Sequence, residues 1–113
     1  FAVLCLDAEL RKLHFKKLFF GSQHSCSVSI NQTLRYVLQQ QACQIVIAHN
    51  HPYGIAQPSH EDIYLTQQLK QACQLLEIQL LDHFIISPEN HFSVSEQQLL
   101  KPVRIKQSGL DKA

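Results

Sequence analysis

The sequence predicts an α/β fold, a mixed β-sheet sandwiched by helices, on the strength of three observations. Segments with the two-residue period of a strand alternate with segments that have the period of a helix. Strand-like pairs around short polar turns stand near both ends of the chain, as expected for hairpins. Between them, "CQIVIAH" is short, β-branched and almost wholly apolar, which is typical of a central strand covered on both sides. These features together favour helices layered on one sheet.

The first half of the chain predicts a hairpin and a helix. "FAVLCLD" and "LHFKKLFFG" are two strands joined by the turn "AELRK". The helix lies in "SINQTLRYVLQQQA", where Ser29 is the expected N-cap. Its period places four apolar residues on one face, namely Ile30, Leu34, Val37 and Leu38.

The second half predicts a longer helix and another strand pair. Apolar residues recur at a helical period from Ser59 to Leu76. "IQLLDHFII" and "HFSV" predict two strands, and "SEQQLL" predicts a last short helix before a polar tail from about residue 101. We expect one domain over residues 1–113, a length that suits a single core.

Composition restricts the class of protein. No apolar run approaches the ~20 residues that cross a bilayer, and no signal peptide is evident, so we expect a cytoplasmic protein without membrane contact. The net charge of +1 predicts no long-range attraction to nucleic acid, and the basic stretches "RKLHFKK" and "KPVRIK" support such binding only weakly.

The four cysteines have no C-x-x-C spacing and are expected to be reduced and mostly buried. Because the chain begins at Phe1 and lacks methionine, we expect a piece of a longer protein.

The stretch "AHNHPYGIAQPSHED" carries the strongest chemical signal. His49 and His51 point to the same side of the predicted strand because side chains alternate along it. Asp62 follows in the first turn of the next predicted helix, on its apolar face. Imidazole and carboxylate are zinc ligands, and three protein ligands with an open fourth position are typical of catalytic zinc. The pattern predicts a Zn²⁺ site formed by His49, His51 and Asp62.

The same residues also fit a purely structural interpretation. Ser59 and Asp62 have the S-x-x-D spacing of a helix N-cap and follow Pro58. A cap does not explain why two histidines stand together at the end of an apolar strand, where an unpartnered imidazole loses hydrogen bonds to water. The interpretations are compatible, because a cap would fix the helix start that aims Asp62.

This stretch resembles the RadC-like branch of the JAB/MPN family, whose JAMM signature is H-x-H, seven residues, S, two residues and D. His49, His51, Ser59 and Asp62 match that spacing without a gap. Two later stretches extend the likeness to about Leu100, namely "LLDHFIIS" and "HFSV". The resemblance implies a cytidine-deaminase-like fold, zinc held by the two histidines and the aspartate, and Ser59 as the group that stabilises the oxyanion during peptide or isopeptide hydrolysis. RadC-like proteins also carry a DNA-repair label.

One position departs from the family pattern. The family has a general-base glutamate on the second strand, and alignment on "LFFG" puts that position at Lys16. Strand parity alone does not decide between Lys16 and its neighbour Lys17. Asp7 and Glu9 precede His49 but do not replace the glutamate by alignment. An ammonium group cannot accept a proton from water, so the resemblance implies a site with a doubtful catalytic residue at Lys16.

Three functional hypotheses follow. The first is a JAMM-type zinc hydrolase acting on a peptide or protein conjugate, weakened by the missing base. The second is a catalytically degenerate binding or assembly module, and the third is a DNA-associated factor. A dimer through edge strands is compatible with all three. His60 is expected to face solvent, and His83 is expected to form structural hydrogen bonds within the sheet.

Overall fold

The structure, a computed structural model, describes residues 1–18, 29–51 and 55–95. Within these ranges the strands and helices follow the predicted order. The predicted helix in "SEQQLL" and the polar tail lie outside the described residues, as does the end of the second predicted strand. The elements are β1 (Ala2–Leu6), β2 (Lys12–Lys17), α1 (Ile30–Gln39), β3 (Gln44–Asn50), α2 (His60–Leu75), β4 (Gln79–Ile86) and β5 (His91–Ser93).

Helix α1 begins where its cap was predicted. The Ser29 hydroxyl oxygen accepts a hydrogen bond from the backbone N–H of Gln32 at 3.1 Å. The helix buries Thr33, Tyr36 and Val37. Leu38, which was predicted to share the buried face, is 49% exposed because it lies about 100° around the helix from Val37, at the margin of this apolar stripe.

Helix α2 confirms the predicted long helix. Ser59 is its N-cap and Leu76 its C-cap. Its buried side chains recur every three or four residues, as a stripe on one helix face requires. They are Asp62, Thr66, Leu69 and Cys73.

The five strands form one mixed sheet in the order β2-β1-β3-β4-β5. Strands β3 and β4 are parallel, whereas the other neighbouring pairs are antiparallel. The predicted α/β fold with a mixed sheet is therefore confirmed. Strand β1 separates β2 from β3, so β2 does not adjoin the strand that carries the histidines.

Both described helices lie on the same face of the sheet. The connections β2–α1–β3 and β3–α2–β4 each join parallel strands and step in the same direction across the sheet, and such crossovers are nearly always right-handed. Side-chain contacts also place the two helices on one face. Tyr36 of α1 contacts His14, and Thr66 of α2 contacts His83. Strand register puts these two histidines on the same face of the sheet. This face forms a core whose fully buried sheet residues include Val3, Cys5, Ile45, Ile47 and Ile85.

The opposite face is less covered. Leu4, Val46, Ala48 and Phe84 share it by register and are only half-buried. Among the described residues both helices pack on the other side, so this face of β3 has no described helix over it.

The β1–β2 turn lies far from the end of β3 that carries the histidines. Leu6 pairs with Gln44 at the start of β3, whereas Ala2 pairs with Ala48 near its end. The Asp7 carboxylate accepts hydrogen bonds from the Glu9 and Arg11 backbone N–H groups, both at 2.9 Å. The acidic residues of the turn are thus engaged locally, at the opposite end of the sheet from His49.

The described helices and cysteines bear on the predictions about membrane contact and thiols. None of the described helices is long and apolar enough to cross a membrane. Cys5 and Cys73 are buried free thiols, whereas Cys43 is free but exposed because it precedes β3 in a connecting segment. Cys26 lies outside the described residues.

Candidate metal centre

The end of β3 and the start of α2 bring together the three predicted metal ligands. Strand alternation puts His49 on the helix-covered face, next in that series after Ile45 and Ile47. His51 follows just beyond the strand, and its backbone N–H donates to the carbonyl of Ile86 at 2.7 Å. Asp62 enters from the first turn of α2, on the buried side of that helix.

The ligand atoms of the three side chains lie within 4.8 Å of one another. The Asp62 Oδ2 atom is 3.2 Å from His51 Nε2, and its Oδ1 atom is 3.3 Å from His49 Nδ1. The two imidazole ring centroids are 4.8 Å apart and the rings meet edge to face. The side chains are 18%, 23% and 9% exposed for His49, His51 and Asp62, so the cluster opens to solvent mainly on the histidine side.

A capping box fixes the position of the carboxylate. The Asp62 backbone N–H donates to Ser59 Oγ at 3.1 Å, and the Ser59 backbone N–H donates to Asp62 Oδ2 at 2.9 Å. The structural interpretation and the metal interpretation therefore apply to the same residues. Because Oδ2 serves the cap, Oδ1 is the carboxylate oxygen with fewer protein partners.

His49 shows why a metal ion fits this cluster. Its Nδ1 atom is buried and has no hydrogen-bond partner among the described residues, since the 3.3 Å approach to Asp62 Oδ1 lies within ion-pair range but lacks hydrogen-bond geometry. Burial lowers the pKa of His49, although Asp62 acts in the opposite direction. A neutral imidazole with a buried, unpartnered nitrogen beside a carboxylate suits a divalent cation, which needs a deprotonated nitrogen donor.

The sequence matches the profile of the RadC-like JAB domain over residues 1–99. The chain belongs to the RadC-like JAB family. It is 78% identical over 105 residues to a UPF0758 protein of Acinetobacter baumannii, an alignment that covers 93% of this chain and 45% of that relative. It is 62% identical over 112 residues to a UPF0758 protein of Acinetobacter baylyi, which covers 99% of this chain and 41% of that relative. The chain thus spans less than half the length of these curated relatives.

Lys16 lies on the same sheet face as His49 in this JAB domain, but β1 stands between their strands. Lys16 pairs with Val3, which pairs in turn with Ile47 on β3. The exposed Lys16 side chain places its Nζ atom 5.8 Å from the centroid of the Tyr36 ring, a cation–π contact. Lys17 pairs with Ala2 and therefore faces the other side of the sheet. Pairing thus distinguishes the two lysines that the sequence left unresolved.

Ser59 and His60 stand at the exposed start of α2. The Ser59 hydroxyl accepts the Asp62 backbone N–H, so its own proton remains available for donation. His60 is exposed, as expected, and is not a member of the ligand cluster.

Sequence reasoning missed a buried pair beside the cluster. Thr66 Oγ1 lies 2.5 Å from His83 Nδ1, and both residues are at most 1% exposed. The His83 ring centroid is 5.9 Å from that of His49. Burial, followed by the charge of His49, lowers the pKa of His83 to about 4, so the imidazole is neutral at neutral pH. The available signals were the position of Thr66 one turn beyond Asp62 and the Asp82–His83 pair in an apolar strand.

Proposed function

We propose that this RadC-like JAB domain is a zinc-dependent hydrolase of the JAMM type that acts on a peptide or isopeptide bond. The observation that carries the proposal is the convergence of His49, His51 and Asp62, two imidazoles and one carboxylate whose ligand atoms lie within 4.8 Å of one another. Such a donor set suits zinc with a fourth position left for water or substrate. A bound zinc ion supplies Lewis acidity, which polarises a carbonyl and lowers the pKa of water.

The residues around the donors support amide chemistry. Ser59 presents a hydroxyl proton at the exposed edge of the cluster, where it can donate to the oxygen of a scissile carbonyl as negative charge develops. His49 and His51 are partly exposed, which leaves an approach for an extended chain. We therefore propose a peptide or a protein conjugate as the substrate class.

Metal analysis tests the site directly. We expect about one zinc ion per chain after equilibration with zinc, and loss of binding in His49→Ala and Asp62→Ala, because each removes one of three donors. His60→Ala is the matched control, since it deletes a neighbouring exposed histidine outside the cluster. The proposed metal site fails if wild type and both ligand variants are equally metal-free at saturating zinc.

A second candidate function is a binding or assembly module that retains the fold and the metal without turnover. Lys16 favours it, because the position matched to the family glutamate bears a cation held over Tyr36. Asp7 and Glu9 do not compensate, since both bind Arg11 in the distant turn. Loss of a general base typically lowers a rate by about 10²- to 10⁴-fold.

Turnover separates the two candidates. Zinc-loaded protein is incubated with an isopeptide-linked protein conjugate, with the Asp62→Ala variant as the metal-free control. Zinc-dependent cleavage supports the hydrolase, whereas stoichiometric zinc and conjugate binding without cleavage support the binding module.

A further inference from the structure

We propose that Thr66 and His83 are positioning residues that tie Asp62 to strand β4 and thereby set the geometry of the metal centre. The inference rests on the proposed metal site and concerns side chains outside the JAMM signature. It is carried by a continuous chain of buried hydrogen bonds from the Asp62 backbone to the sheet.

The first link lies within α2. Thr66 Oγ1 is 2.7 Å from the backbone carbonyl oxygen of Asp62, one turn earlier. A carbonyl only accepts hydrogen bonds and a threonine hydroxyl has one proton, so this proton goes to the Asp62 carbonyl. The first turn of the helix is thereby bonded to the Thr66 side chain.

The second link crosses from the helix to the sheet. Because the Thr66 proton is already donated, its oxygen must accept from His83 Nδ1, 2.5 Å away. The hydrogen-bond network therefore assigns the His83 proton to Nδ1 and leaves Nε2 as a bare lone pair. That Nε2 atom is buried and has no hydrogen-bond partner in the described part of the chain.

Hydrogen bonds connect both elements that carry the three ligands to strand β4. His49 and His51 belong to β3 and its end, and the His51 backbone N–H is bonded to the Ile86 carbonyl of β4. Asp62 belongs to α2, which reaches β4 through Thr66 and His83. The distance between the carboxylate and the imidazoles therefore depends on two sets of bonds to the same strand.

Burial makes the second link effective. Thr66 is 1% exposed and His83 is 0% exposed, so water does not compete for these bonds. Hydrogen bonds in such surroundings are electrostatically stronger, and a partner left alone there is costly. Groups that orient metal ligands from outside the coordination sphere typically alter metal affinity 10- to 100-fold when removed.

Helix α1 provides an internal control. Thr33 is also fully buried and donates to a backbone carbonyl four residues earlier, that of Ser29, at 2.8 Å. Thr33 lies on the helix that does not carry a ligand. A Thr→Val change at either position removes one buried hydroxyl of the same local type, but only the change at Thr66 breaks the link to His83.

The experiment measures zinc affinity by chelator competition and the visible spectrum of the Co²⁺-loaded protein, whose d–d bands report ligand geometry. We expect Thr66→Val to weaken zinc at least about tenfold and to change the Co²⁺ spectrum, whereas Thr66→Ser stays within about threefold of wild type. Thr33→Val should leave both readouts unchanged, even if it lowers stability equally.

Variants of His83 test the same link from the other side. His83→Phe removes the Nδ1 donor and should behave like Thr66→Val, whereas His83→Asn keeps an N–H donor near the Nδ1 position and should recover most of the affinity. Wild-type zinc affinity and an unchanged Co²⁺ spectrum in both Thr66→Val and His83→Phe would overturn the inference. A wild-type protein that binds neither metal would instead overturn the proposed metal site.

Discussion

Ser59 combines two tasks in one hydroxyl group. Its oxygen accepts the Asp62 backbone N–H and so caps α2. Its proton is the one proposed to stabilise a developing oxyanion. The two tasks have different chemical requirements, because glycine at an N-cap costs only roughly a few tenths of a kcal/mol relative to serine but has no side chain that could donate a hydrogen bond.

The Ser59→Gly substitution is predicted to separate these tasks. We expect the free energy of unfolding to change by only a few tenths of a kcal/mol, while zinc-dependent hydrolysis falls roughly 10²-fold or more, as when an oxyanion donor is removed. Urea unfolding and initial rates on an isopeptide substrate are the two measurements.

The other N-cap of the chain supplies the matched control. Ser29 caps α1 in the same way, through the Gln32 N–H, so Ser29→Ala should cost about 1 kcal/mol of stability with little effect on rate. Equal rates for Ser59→Gly and wild type would restrict Ser59 to capping.

The residues of the site differ in how far sequence could identify them. His49, His51 and Asp62 were recognisable because strand parity and helix period act over a few residues and aim all three at one point. The contact of Thr66 with His83 joins positions seventeen apart and depends on which strand lies under α2. No local period encodes that placement, so each residue on its own had a purely structural interpretation.

At the scale of elements, pairing determines which lysine lies on the same sheet face as His49. A register shift between Cys5 and Leu6 interrupts the β1–β2 ladder, so the side that each β2 residue faces could not be counted from the turn. Beyond this irregularity Lys16 aligns with Val3 and Lys17 with Ala2. The side chains of the two neighbouring lysines therefore lie on opposite faces of the sheet.

We predict that Lys16→Glu raises peptide or isopeptide hydrolysis at least about tenfold, because it replaces a cation with a proton acceptor on the metal-site face. It should also tighten zinc, since a positive charge on the sheet face that bears the ligand cluster is replaced by a negative one. Rates at saturating zinc and competition titrations measure the two effects.

Lys17→Glu makes the same change of charge on the other face and should alter neither quantity by more than about twofold. Equal effects of the two substitutions would indicate a general change in net charge rather than a base at position 16. No gain from Lys16→Glu would favour the binding module.

Element type and order were predictable, whereas the layering was not. The caps at Ser29 and Ser59 placed the start of both helices correctly, whereas α1 ends three residues before the predicted segment does. The side of the sheet on which a helix packs depends on strand order and crossover direction, which a single segment does not contain. The predicted α/β class with a mixed sheet is therefore confirmed, and the structure adds that both described helices pack on one face.

At the scale of the whole molecule, buried neutral histidines couple folding to pH. The pKa of His83 is about 4 in the folded chain, whereas an exposed histidine has a pKa of about 6.5. Below pH 6.5 the unfolded chain binds the additional proton, so stability is fully present above this value and is lost as pH falls toward 4. The lowered pKa of His49 acts in the same direction.

For zinc-free protein we predict a loss of about 2 kcal/mol between pH 7 and pH 5 from His83 alone. Asp62 and Asp82 oppose the pKa shift of His83, and His49 and His51 reinforce it, so the neighbours modulate but do not reverse it. Urea unfolding at both pH values measures the slope. His83→Asn should flatten it, whereas His60→Asn, at an exposed position, should leave it unchanged; identical slopes in all three proteins would contradict the prediction.

The contact of His51 with Asp62 also has a consequence for the kinetics of the chain between them. These residues are eleven positions apart, and their side chains meet at 3.2 Å. An ion shared by both would act as a non-covalent cross-link that closes this segment into a ring anchored at one end on the sheet and at the other on the helix. Separation of the His51 and Asp62 side chains would then have to wait for a ligand to dissociate. The backbone amide of Ile55 would then exchange its hydrogen slowly, although this residue is 62% exposed, because the ion would anchor the chain on both sides of it.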